Sequence, residues 1–129
     1  MGIAYDDLGE GGLVKVTVVG QASRTEHAVA EERAREDIRV GRLKALIIDA
    51  SAAEVPANPS ISREIWEDFL ETLDGRPFAY IAPSGSQSAE REAMIRELVE
   101  EWSSTFRPVD SVEEARRWCL AEISGRGTG

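Results

Sequence analysis

The stretch "KALIIDASAAEVPANPSISREIW", Lys44–Trp66, decides the fold. Its first part, Ala45–Ala50, is a continuous apolar run that closes on an aspartate. Such a run without polar alternation is the pattern of a strand buried on both faces, as in the parallel sheets of α/β proteins. Small residues and two prolines follow. From Ile61 onward, Ile61, Ile65, Phe69 and Leu73 recur at a spacing of four, with Trp66 and Leu70 beside them, so an amphipathic helix begins here and ends at Gly75. A strand, a polar connection and a helix therefore follow one another. The connection reads as a phosphorylatable switch, a ligand-binding loop or a plain link capped by Ser60.

Working outward, the same alternation continues. Ile3–Tyr5 is a short strand, and "LGEGG", Leu8–Gly12, turns it into "LVKVTVVG", Leu13–Gly20. Val14, Val16 and Val18 alternate there with Lys15 and Thr17, which gives one dry face. Ser23 and Glu26 form a capping box for a helix reaching about Arg39. Its apolar line, Ala30, Ala34 and Ile38, is thin. "PFAYIAP", Pro77–Pro83, is another buried strand, followed by a helix with Ile95, Leu98, Val99 and Trp102 inward. "FRPV", Phe106–Val109, is an edge strand, because Pro108 has no N–H to donate. A last helix begins at the Ser111–Glu114 capping box and turns Val112, Ala115, Cys119 and Ile123 inward. The order β-β-α-β-α-β-α-β-α predicts an α/β domain, residues 1–123, with a mixed, mostly parallel sheet covered by helices. The Gly-rich end, 124–129, is expected to be a disordered tail.

Composition narrows the function. The chain has 129 residues and a net charge of −9. An acidic chain is ill suited to nucleic acid or to an anionic membrane face. No run approaches the ~18 apolar residues of a membrane span. "MGIAYDDLGE" has no apolar core of a secretory signal. With a single cysteine, Cys119, the expected compartment is the cytoplasm. Thirteen of the fifteen basic residues are arginine, a bias of GC-rich bacterial genomes.

Catalytic chemistry finds little support. His27 lies in a charged helix and Cys119 on an apolar face, so Cys119 reads as a core residue and His27 as a surface one. One His and one Cys make no zinc cluster, and no D-x-D-x-D-G run suggests calcium. No catalytic residue, metal or cofactor is expected. "PSGSQS", Pro83–Ser88, lies between a strand and a helix and offers only a weak phosphate cradle.

The order of elements, with "LIIDAS" before a helix and "VDSVEEARRW" at the end, resembles the STAS fold (sulphate transporter and anti-sigma factor antagonist). It is similar also to the looser group called stage II sporulation AA-like. The resemblance spans about Leu13 to Cys119. It implies a non-enzymatic signalling protein with a protein partner, a kinase-like or sigma-pathway regulator. It implies also that a serine after the central strand is the phosphoacceptor, in a D-S-S-G setting. Asp49 matches the strand-end aspartate, no D-S-S-G follows, and Ser60 falls near the phosphoacceptor position. The candidate recognition loop is Asp49, Ser51, Asn58, Ser60 and Ser62. Trp66, at the margin of its stripe, is the candidate interface to a partner or a second copy. Two rivals stand beside this reading: a small-ligand binder for a lipid or nucleotide, and a small enzyme without a recognisable motif.

Overall fold

The computed structural model describes residues 2–54, 59–83 and 88–128. Its elements run β1 (Gly2–Asp7), β2 (Leu13–Gly20), α1 (Arg24–Arg39), β3 (Ala45–Ala53), α2 (Pro59–Leu73), β4 (Phe78–Ile81), α3 (Ser88–Glu101), β5 (Phe106–Pro108) and α4 (Val112–Thr128). The strands form one sheet in the order β1-β2-β3-β4-β5. β1 is antiparallel to β2, and the other pairings are parallel. The sheet is thus mixed and mostly parallel, as the sequence predicts.

This order never reverses. Right-handed crossovers then carry α1, α2 and α3 to one face and leave the other to α4. The two cores follow from strand alternation. Val14, Val16, Leu46, Ile48, Phe78 and Tyr80 point toward α1–α3, where Ala34, Trp66, Leu70, Leu73, Ile95 and Leu98 meet them. Leu13, Ala45, Ile47, Ala79 and Ile81 point the other way, onto Ala115 and Cys119 of α4. β3 is buried on both sides because both layers cover it, which is why its sequence shows no alternation.

The caps behave as written. Ser23 and Glu26 make a complete capping box on α1. Ser111 Oγ accepts the Glu114 N–H at 3.2 Å at the start of α4. Charge is buried where sequence periodicity gives no warning: Glu31 and Asp37 of α1 are both buried. Asp37 has partners, since Tyr5 Oη donates to its Oδ2 at 2.7 Å and Arg42 Nε lies 3.7 Å from its Oδ1. Arg33 stacks over the Tyr5 ring at 4.5 Å. Burial, and then the Asp37 hydrogen bond, push the Tyr5 phenol above its usual range. These contacts tie β1 to α1.

Four expectations are corrected. β3 does not end at Asp49 but runs on to Ala53. Trp102 leaves the core stripe and is 39% exposed. α3 stops at Glu101, and Ser103 beyond it takes a left-handed φ of 53°, so the helical face ends before Trp102 can share it. Ile61, placed on the apolar stripe of α2, is 38% exposed; the buried line is Trp66, Leu70 and Leu73. α4 includes residues 124–128, where the sequence reading placed a tail.

Candidate functional site

Asp49 and Ser51 are brought together at the far end of β3. The Ser51 N–H donates to Asp49 Oδ1 at 3.1 Å and its hydroxyl donates to the same oxygen at 2.7 Å. An aspartate bonding two residues ahead offers the backbone an alternative to the ladder. The ladder yields here: Thr17 pairs with Asp49, but Val19 pairs with Ala52, so β3 carries one extra residue, a bulge. Beyond it, Ser51 and Ala52 are exposed, whereas Ala45–Ile48 are buried. The Asp49 carboxylate therefore shapes this strand end.

The remaining loop candidates are not gathered around it. Asn58 lies outside the described residues. Ser60 is the second residue of α2, after Pro59, a residue well suited to the first helical position. Ser62 follows on the same first turn; the side chains of Ser60 and Ser62 lie outside the description. Strand alternation puts Asp49 with Ala45 and Ile47 on the α4 face, while α2 packs on the opposite one. The shared feature is the end of the sheet, not a common face.

Trp66 is only 9% exposed. Its ring lies 5.2 Å from that of Tyr80, edge-on, and 5.9 Å from those of Phe69 and Phe78. It is a core aromatic, and it forms part of the wall of a cavity of about 90 Å³ between the sheet and α1, α2 and α3. Val16, Ile48 and Ala50 floor this cavity; His27 and Glu31 of α1, Phe69 of α2, Tyr80 of β4 and Arg91 of α3 complete the wall. It exists because α1 brings Ala30 and Ala34 to the sheet rather than larger side chains. The thin apolar line of α1 is its trace in the sequence.

His27 is thus half-buried in the cavity wall rather than free on the surface. Burial holds its pKa below the ordinary value, against a weaker pull from Glu26. Cys119 is fully buried, with Sγ 3.5 Å from the Leu46 carbonyl, and burial pushes its thiol up to about 12. α1 and α4 lie on opposite faces of the sheet, so His27 and Cys119 cannot form a nucleophile–base pair. Among the described residues, no three His, Cys, Asp or Glu side chains cluster to hold a metal, and no helix is long and apolar enough to cross a membrane.

Burial raises the pKa of Glu31, Asp68 adds to the rise, and Arg35 and Arg24 oppose it. A carboxyl raised in the folded state keeps its proton more tightly folded than unfolded. Below the ordinary value both states are protonated and nothing is lost. As pH rises through the folded pKa, the buried charge subtracts stability. Glu31→Gln is therefore expected to gain about 1 kcal/mol at pH 8 and close to nothing at pH 4, measured by urea unfolding at both pH values. An equal gain at both would refute the burial account.

No protein-family model and no curated protein matches the chain. Solved structures are similar to the chain, among them "Structure of the Anti-Sigma Factor Antagonist SpoIIAA in its Unphosphorylated Form". The TM-score is 0.55 at 10% sequence identity, over 95% of this chain and 98% of that one. With its five-stranded mixed sheet and four helices among the described residues, the chain has the STAS-like fold of SpoIIAA.

Proposed function

We propose that this chain is a regulatory protein that works by binding another protein and catalyses nothing. What carries the reading is the end of β3. There the Asp49–Ser51 hydrogen bonds and the bulge hold an exposed strand end, which leads toward the first turn of α2. Val19 on the neighbouring strand and Ile61 on that first turn are both exposed apolar side chains. Such residues amid polar ones suit a protein contact. The fold of an anti-sigma factor antagonist supports the same class of role. The partner in this reading is a kinase-like or anti-sigma regulator, and the net charge of −9 favours a basic docking face on it.

Phosphorylation of Ser60 is the regulatory step of this proposal. Phosphate there would add about −2 charge to the first turn of α2. The helix N-terminus tolerates that charge well, so the fold would persist while the docking surface changes sign locally. The test is a photo-crosslinking residue at position 61, identification of the captured protein, and titration with that protein purified. Ile61→Asp and Ser60→Asp are each expected to weaken binding at least tenfold with the melting temperature unchanged. Arg117→Asp, on the exposed part of α4, should leave it unaltered. If all three variants bind like the native chain, the surface is wrongly placed.

A further inference from the structure

One buried acid at the seam of α1 and α2 has no counter-ion. Glu31 is only 8% exposed, and among the described residues its carboxylate makes no hydrogen bond or ion pair. Arg24 and Arg35 act on it through their charge alone, because Arg24 pairs with Glu64 at 3.0 Å and Arg35 with Glu32 at 3.3 Å. Asp68 of α2 adds a second negative charge to its surroundings. A buried carboxylate is ordinarily paired, so a lone one needs an explanation. The docking surface gives none, since Val19 and Ile61 bring no cation to it.

The position of Glu31 says what would satisfy it. Glu31, His27 and Ile65 line both the cavity behind Trp66 and a groove between α1 and α2 that Asp68 borders. His27 does not offset the acids, because burial holds it toward its neutral form. Glu54, also in the cavity wall, adds to the negative potential. Arg91 enters the wall from α3, and its guanidinium is hydrogen-bonded to the Tyr80 hydroxyl. α2 packs against both α1 and α3, so Glu31 and Arg91 meet the cavity from different sides. Between them the walls are apolar and aromatic: Val16, Ile48, Trp66 and Phe69. A cation beside a carboxylate and over aromatic rings gains from both. Among the described residues no three His, Cys, Asp or Glu side chains converge as metal ligands, so the donor set suits an organic cation. A cavity of about 90 Å³ holds roughly six to nine non-hydrogen atoms at about 10–15 Å³ for each water-sized position.

We propose that this cavity binds a small organic ammonium ion, a primary amine with an apolar body the size of a benzyl or cyclohexyl group. The ammonium sits at Glu31, toward Asp68, and the hydrocarbon lies on Trp66, Phe69 and Ile48. The site stands independently of the docking surface: a failed partner titration leaves it untouched, and the reverse holds.

Calorimetric titration of the full chain with benzylamine at neutral pH tests it. Benzyl alcohol and benzoate are the neutral and anionic comparisons, and methylammonium carries the charge without the hydrocarbon. Trp66 fluorescence in a Trp102→Phe, Trp118→Phe background gives an independent readout from the cavity wall. Saturable one-to-one binding of benzylamine is expected, with benzyl alcohol and methylammonium each at least tenfold weaker and benzoate weaker still. Glu31→Gln should weaken benzylamine at least tenfold, the loss of a hydrogen bond to a charged group, while the free protein melts no lower than the native chain. Ala30→Leu, which fills the cavity from α1, should abolish binding. Glu113→Gln, an exposed acid on α4, should leave the affinity unaltered. No saturable binding of benzylamine, equal affinity for benzyl alcohol, unchanged affinity in Glu31→Gln, or an equal loss in Glu113→Gln would each overturn the assignment.

Discussion

Ending the chain at Asp110, and so removing α4, is expected to abolish cooperative folding. α4 is the sole cover on its face of the sheet among the described residues, and it buries Leu13, Ile47 and Ile81 together with Ala45 and Ala79. Exposing the three larger side chains alone costs about 5–9 kcal/mol at roughly 1.5–3 kcal/mol each. Domains of this size have about 5–15 kcal/mol in total. The truncated chain also loses the bidentate pair of Arg116 with Glu10, in which Arg116 Nε donates to the two carboxylate oxygens at 2.8 and 3.0 Å. That pair fastens the β1–β2 turn to α4. Urea unfolding followed by circular dichroism, together with binding of a hydrophobic dye, should report a molten or aggregating chain. A sharp transition within a few degrees of the native melting temperature would mean that α1–α3 alone stabilise the sheet.

Trp66→Ala is the second large effect. The substitution removes an indole that contacts the rings of Phe69, Phe78 and Tyr80 within 6 Å. Aromatic-to-alanine changes in cores cost about 3–5 kcal/mol, because the cavity left behind collapses only in part. The melting temperature should fall by on the order of 10–20 °C. An interface tryptophan would behave otherwise: stability would hold and partner affinity would drop. Thermal melts and a partner titration on the same variant separate the two roles. The structure favours the first, since the ring packs inward between α2 and β4.

The two tryptophans show where sequence periodicity stops being informative. Trp66 and Trp102 both lie beside or on apolar stripes, and their places in the fold are the reverse of what the stripes suggest. A stripe marks a face but not where the sheet beneath it ends. α2 crosses the middle of the sheet, so residues one step off the stripe are still covered. α3 terminates beside the short edge strand β5, so its last turn overhangs. The cavity was legible only as a deficit, the small residues of α1.

The sequence by itself determined the element types and their order, the buried central strand, the capped starts of α1 and α4, and the inward face of Cys119. All of these follow from local chemistry: period, cap and apolar run act within a few residues. Only the tertiary structure decided the rest. The one-directional strand order put α4 alone on one face and thereby separated His27 from Cys119 and Asp49 from α2. The Asp49–Ser51 bonds created a bulge where the sequence showed a strand end. The thin face of α1 became a cavity with Tyr80 and Arg91 in its wall. Each depends on residues far apart in the chain meeting, and no local pattern encodes which of them will.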